Sequence, residues 1–177
     1  MKHVISKKIE NLHEIELDVF RDFRGEYVET YSIEKYLFHD SIGNKINFLE
    51  DDISYSKKNV LRGLHGDAKT WKLIQCLYGE IFFAVVDLRK ESKTYKNVQT
   101  FQLSASMRKQ ILVPAGCANG HLVLSDDAIF SYKQSEIYSG MNNQFTLRWD
   151  HPEFNIDWPV SNPILSQRDS TADFLKF

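Results

Sequence analysis

The chain has few of the features that mark secreted, membrane-bound or nucleic-acid-binding proteins. Only two cysteines occur in 177 residues, Cys76 and Cys117. They form no CxxC pair, and we read both as free thiols in a reducing, cytoplasmic setting. The longest unbroken apolar run, Ile81 to Val86, is far too short to cross a bilayer. Met1 to Glu16 carries charges throughout and lacks an apolar stretch, so no signal peptide is expected. Neither charge sign dominates: 22 basic against 24 acidic side chains leave a net charge of −2. No footprint for nucleic acid or an anionic membrane follows from that balance, and an anionic ligand must be held by a few placed cations. No Pro/Gly/Ser-rich linker, charge block or repeat divides the sequence, so residues 1–177 read as one domain.

What the chain does contain is apolar and aromatic residues in short runs. Hydrophobic residues make up 42% and aromatics 13%, with 12 Phe and 8 Tyr. Strands are expected at 26–31, 46–55, 71–77, 80–88, 98–103, 110–113, 120–124, 128–133 and 145–149. One short helix is expected at 32–38, with Ser32 as its N-cap. Tyr78-Gly79 suggests a tight hairpin between the strands at 71–77 and 80–88. Its register places Lys72, Ile74 and Cys76 on one face with Ile81, Phe83 and Val85. Three of the four prolines follow Asp150, in what reads as a packed irregular arm. Many short antiparallel strands with one or two small helices predict an all-β jelly-roll sandwich or barrel, a fold that holds small ligands inside one open end.

The stretch Val60-Leu61-Arg62-Gly63-Leu64-His65, with Lys72 beyond it, sets a titratable base and cations into strand-like apolar sequence. Desolvated charges are costly unless paired, so these positions read as the floor of a site. Strand alternation puts residues 61, 63 and 65 on one face, where Gly63 clears space beside His65. A neutral imidazole is a natural general base, given an acceptor for its second nitrogen. Tyr132 ends an inward run with Ala128 and Phe130, where a phenol can donate a proton. Taken alone, His65 and Tyr132 would pass for ordinary core or surface residues. His65-Gly66-Asp67 is a poor metal set, with His121 the only later candidate on an inner strand, and no metal is expected.

Several strings then resemble, in order and over roughly positions 15 to 170, the dTDP-4-dehydrorhamnose 3,5-epimerase family. They include Phe20-Arg21-Asp22-Phe23-Arg24-Gly25, Arg62-Gly63-Leu64-His65, Lys72-Leu73-Ile74, Gly79-Glu80-Ile81-Phe82, Leu112-Val113-Pro114-Ala115-Gly116, Tyr132-Lys133, Ile156-Asp157-Trp158-Pro159 and Leu165-Ser166-Gln167-Arg168-Asp169. The resemblance implies a cupin-like fold, a homodimer, no cofactor, and nucleotide-linked 4-keto-6-deoxy sugars as substrates. It implies His65 as the base paired with Asp169, Tyr132 as the acid on the opposite face of the sugar, and Lys72 beside the C4 oxygen. Arg24, Glu29 and Arg62 fall on nucleotide- and diphosphate-contacting positions, and Arg168 stands where the family often has Lys.

The chain departs from the pattern at Asn119, where the family has a second His, and at Phe83, where it often has Asp. The loop 66–71 is short, and Glu50-Asp51-Asp52 replaces an amide-rich segment. These departures resemble a branch acting on GDP-linked 4-keto-6-deoxy-heptoses in bacterial surface-polysaccharide synthesis. The expectation is therefore inversion at C3, C5 or both, with GDP preferred over dTDP. Rival expectations are the dTDP-sugar 3,5-epimerase proper, a 3,4-ketoisomerase and a non-catalytic sugar-nucleotide-binding cupin.

Overall fold

Alternating apolar and polar residues in short runs give thirteen strands among residues 1–173, the part of the chain that the computed structural model describes. They are β1 (Lys2–Ile5), β2 (His13–Glu16), β3 (Val19–Asp22), β4 (Gly25–Val28), β5 (Glu50–Lys57), β6 (Leu61–Gly66) and β7 (Lys72–Tyr78). After them come β8 (Glu80–Asp87), β9 (Val98–Ser104), β10 (Lys109–Val113), β11 (Cys117–Val123), β12 (Asp127–Gln134) and β13 (Phe145–Thr146). One α-helix, α1 (Gln167–Ser170), lies near the end. The first sheet runs β1-β2-β10-β7-β12-β5, the second β13-β6-β11-β8-β9, and β3 pairs with β4 alone. All these pairings are antiparallel. The all-β jelly-roll expectation holds.

The hairpin expected around Gly79 is a corner instead. β7 lies in the first sheet and β8 in the second. Gly79, at φ +74°, turns the chain from one to the other, where a Cβ would sit 2.1 Å from the Asp127 carbonyl oxygen. A tight glycine turn between alternating strands is compatible with either geometry, because both send the same residues inward. Ile74 and Cys76 do meet Ile81, Phe83 and Val85 in the core between the sheets.

Two further apolar clusters cover the outer faces. Leu73, Leu112 and Ile15 pack with Tyr36 and Phe38. Here the expected helix at 32–38 is a single turn, with the Tyr36 N–H bonded to the Ser32 carbonyl. Tyr36 and Phe38 both bury their rings against the sheet, an alternation that a helix could not satisfy. On the other side, the proline-rich arm lays Phe154 and Trp158 over Leu61, Leu64 and Leu122. The N-terminal strands β1 and β2, absent from the expectation, extend the first sheet.

Candidate active site

A cavity of about 290 Å³ opens between the two sheets. It is lined by Arg62, His65 and Asn119 from the second sheet and by Lys72, Tyr132 and Gln134 from the first. Arg168 belongs to the same lining.

β6 breaks the expected alternation. Leu61 and Leu64 are both fully buried in the cluster beneath the C-terminal arm, whereas Arg62 and His65 line the cavity. The change of phase falls at Gly63, at φ +126°, opposite an irregularity in the β6–β11 register between Asn119 and His121. A Cβ on Gly63 would stand 2.6 Å from the Gly120 Cα and 2.8 Å from the Asn119 carbonyl oxygen. Gly63 thus permits two backbones to touch, rather than clearing room beside His65.

His65 Nε2 lies 2.5 Å from Asp169 Oδ1. Ser166 caps α1 by accepting the Asp169 N–H at 3.1 Å, and this one-turn helix carries Asp169 to a position only 3% exposed. Burial raises the Asp169 pKa, but the hydrogen bond and charge of His65, with help from Ser166 and the Gly63 N–H, outweigh it and hold the carboxyl below its ordinary range. An ionised Asp169 accepts from Nε2–H, so the lone pair resides on the other ring nitrogen, Nδ1.

Tyr132, half-buried on β12, contributes to the same cavity from the opposing sheet. Burial, then the charges of Asp52 and Glu50, push its phenol upward, keeping the proton on. Lys72 is 7% exposed, and its Nζ donates to Asn119 Oδ1 at 3.3 Å across the gap between the sheets. Burial pushes Lys72 down to about 8, with Asp67 opposing and Arg168 reinforcing the shift. Phe83, on the position where the resemblance anticipates a carboxylate, is fully buried near the Phe101 and Phe130 rings. A neutral amide at 119 beside an apolar 83 leaves no orphaned charge.

Two acids on β5 also reach the cavity, Glu50 and Asp52. Gln134 Nε2 bridges them, donating to Glu50 Oε1 at 3.2 Å and Asp52 Oδ2 at 3.1 Å. Burial, then the hydrogen bond and charge of Glu50, hold Asp52 above its usual range. Arg168 is held by Thr146 Oγ1 at 2.8 Å and Gln144 Oε1 at 3.2 Å. Arg24 and Glu29 do not line the cavity. Arg24 is paired with Asp22 at 2.6 Å on the β3–β4 hairpin, and Glu29 with Lys35 at 2.7 Å. Asp67 turns into its own loop, accepting from the Lys69 and Thr70 N–H groups. Among the described residues, no group of three His, Cys, Asp or Glu side chains is placed to hold a metal ion.

His121, Ser54 and Gln134 line the cavity too, and nothing in the sequence reading gave them a role in binding or catalysis. The same-face rule along β11 and β12, applied to positions 119 and 121 and to 132 and 134, is the signal that could have found His121 and Gln134.

The chain resembles known proteins along most of its length. The profile of the dTDP-4-dehydrorhamnose 3,5-epimerase family matches residues 6–176. A Shigella flexneri protein named dTDP-4-dehydrorhamnose 3,5-epimerase is 39% identical over 170 residues, covering 94% of this chain and 92% of its own. The crystal structure of a dTDP-4-dehydrorhamnose 3,5-epimerase from Bacillus anthracis, with TDP and PPi bound, superposes with a TM-score of 0.89. It is 34% identical, with 98% of this chain and 99% of that one covered. A Legionella pneumophila 3,5-epimerase in complex with dTDP-4-keto-L-rhamnose gives a TM-score of 0.89 at 32% identity, over 98% and 92% of the two chains.

Proposed function

The chain belongs to the dTDP-4-dehydrorhamnose 3,5-epimerase family, and from that premise we propose that it inverts C3, C5 or both of a dTDP-linked 4-keto-6-deoxy sugar. A sugar-nucleotide epimerase is what the family membership establishes; the nucleotide, the sugar and the residue roles are the reading offered here. One observation carries those roles: His65 and Tyr132 line one cavity from opposing sheets, with Lys72 in the same lining.

The ketone at C4 acidifies the protons on C3 and C5. In this reading, the nitrogen of His65 not bonded to Asp169 removes one of them. The resulting enolate carries its charge on O4, beside the Lys72 ammonium, which interacts more strongly with the developing oxyanion than with the ketone. Tyr132 returns a proton from the other face, and the carbon emerges inverted. Arg62 and Arg168 supply forked donors for phosphoryl oxygens.

No relative described above is named for a guanosine nucleotide or a heptose, which sets the thymidine nucleotide first. The GDP-linked heptose stands as a second reading on one observation, that Glu50 and Asp52 line the cavity and offer acceptors to N–H or O–H donors of a ligand. We further propose a cytoplasmic homodimer. The β3–β4 hairpin exposes Phe20, Phe23 and Tyr27. Arg24 and Glu29 line no part of their own chain's cavity, so nucleotide contacts by them require a second copy. No helix among the described residues is long and apolar enough to cross a membrane.

The test is incubation of the protein with dTDP- and GDP-linked 4-keto-6-deoxy sugars in D₂O. Deuterium entering C3 or C5, with inverted product seen by NMR, is expected for the dTDP sugar. Migration of the keto group from C4 to C3 would instead identify a ketoisomerase. Tight binding with no exchange from either donor would leave only a binding protein.

A further inference from the structure

His121 takes no part in the acid–base pair or in the Lys72–Asn119 contact. It is 3% exposed, and its Nε2 has no hydrogen-bond partner among the described residues. Its ring is stacked on Phe130, with centroids 4.0 Å apart and planes 16° from parallel. Stacking fixes the plane of the imidazole, so its edge cannot swing away to find water. A buried N–H or ring nitrogen left unbonded is costly, and a native site that keeps one holds it for something.

Its neighbours say what. His121 stands directly opposite Arg62 in the β11–β6 register, and both line the cavity. Arg62 spends Nε on Ser56 Oγ at 2.9 Å, and its other guanidinium nitrogens make no hydrogen bond among the described residues. Ser54 lies across from Phe130 in the β12–β5 register, lines the same cavity, and has a buried, unpartnered Oγ. Burial, then the charges of Arg62 and His65, push His121 down to about 3. It is therefore a neutral imidazole at working pH, with one N–H to give.

The three side chains share one property: each has a donor to spare. The cavity's acceptors, Glu50 and Asp52, precede Ser54 along β5, toward Gln134 and Tyr132. Arg62, His121 and Ser54 thus lie toward the Phe130 end of the lining, and Glu50, Gln134 and Lys72 lie toward the other. We propose that His121 and Ser54 complete, with Arg62, an anion subsite that takes a phosphoryl oxygen of the diphosphate. The assignment rests on the sugar-nucleotide reading above and adds to it a binding role for His121. A neutral donor suits this place, since it adds a hydrogen bond to the oxygen without burying a charge beside the guanidinium.

The probe is inorganic pyrophosphate, titrated calorimetrically into the full chain and into His121→Phe, His121→Asn and Ser54→Ala. Phenylalanine keeps the stacking on Phe130 and removes only the donor. Affinity should fall about ten- to a hundredfold in His121→Phe, by less in Ser54→Ala, and recover in part in His121→Asn. In the unaltered protein, the imidazole nitrogen resonances of His121 should move when pyrophosphate is added, a readout that requires no variant to fold. Equal affinity in the protein and His121→Phe overturns the inference, as does a His121 resonance that stays still at saturation. Failure of the unaltered chain to bind pyrophosphate at millimolar concentration overturns it too. Deuterium exchange from the sugar nucleotides separates the two readings. Exchange without a His121 effect on pyrophosphate leaves the epimerase and removes the subsite. A His121-dependent anion site without exchange does the reverse.

Discussion

His65 Nε2 and Asp169 Oδ1 lie 2.5 Å apart, although 104 positions separate the two residues in the chain. The carboxylate selects the tautomer and aims the ring. Asp169→Asn is expected to lower the rate of deuterium entry by about 10²–10⁴, with substrate affinity little changed. His65→Asn should cost a similar factor. The double variant should lose little more, because the two residues act as one unit.

Tyr132→Phe separates exchange from inversion. On the proposed roles, His65 still removes the proton in that variant and can return solvent deuterium to the same face. Net inversion should fall by about 10²-fold or more, while label continues to enter with configuration retained. Product NMR resolves the two. Loss of both in parallel would place Tyr132 outside the second proton transfer.

Lys72 predicts an alkaline limit. Its pKa, pushed down to about 8 by burial, means that the ammonium is lost as pH rises past 8, and kcat should fall with it. Lys72→Met should slow the reaction by about 10²–10³ and flatten that limb of the pH profile. The stability effect has the opposite sign. The folded chain releases this proton before the unfolded chain does, so Lys72 makes stability rise with pH between about 8 and the ordinary lysine value of 10.5. Urea unfolding at pH 7.5 and 9.5, with and without Lys72→Met, checks it.

Gly63→Ala should be severe. The added methyl would meet the Gly120 Cα at 2.6 Å, at a φ of +126° that side chains rarely adopt. Clash and strain together are expected to cost about 3 kcal/mol or more, seen as a lowered urea midpoint. Gly43→Ala, where a Cβ would meet nothing within 4 Å although φ is also positive, isolates the backbone part of that cost.

Two buried carboxylates contribute to the loss of stability in acid. Asp87 is fully buried, which raises its pKa; hydrogen bonds from Arg89, Thr94 and Ser92 overcome that and bring it below the ordinary 3.8. Asp169 is shifted the same way. For both, the unfolded chain binds the proton more readily. Their stabilisation is complete above about 3.8 and disappears as pH falls through the lower folded values. Asp87→Asn should reduce stability at pH 7 and make it less dependent on pH between 4 and 2, measured by thermal unfolding.

Much of this was legible in the residues themselves. Nearly every expected strand from 46 onward is present, with ends shifted by a few positions, because period-two burial is written locally. The inward set Ile74, Cys76, Ile81, Phe83 and Val85 was correct even though its hairpin was not, since a corner and a hairpin bury the same face. The resemblance brought His65, Lys72, Tyr132 and Asp169 forward, and all four now stand at or directly behind one cavity.

Local sequence determined which residues are strand formers, which face of each strand is apolar, and which few polar groups interrupt it. Only the tertiary structure decided the rest: that β6 changes phase at Gly63, so that Arg62 and His65 line one cavity together; that a four-residue helix carries Asp169 to His65; and that His121 and Ser54 keep unspent hydrogen bonds beside Arg62. The reason is that burial periodicity is a property of neighbours along the chain. The partner of a buried polar atom is chosen by packing between sheets, and no local pattern encodes that choice.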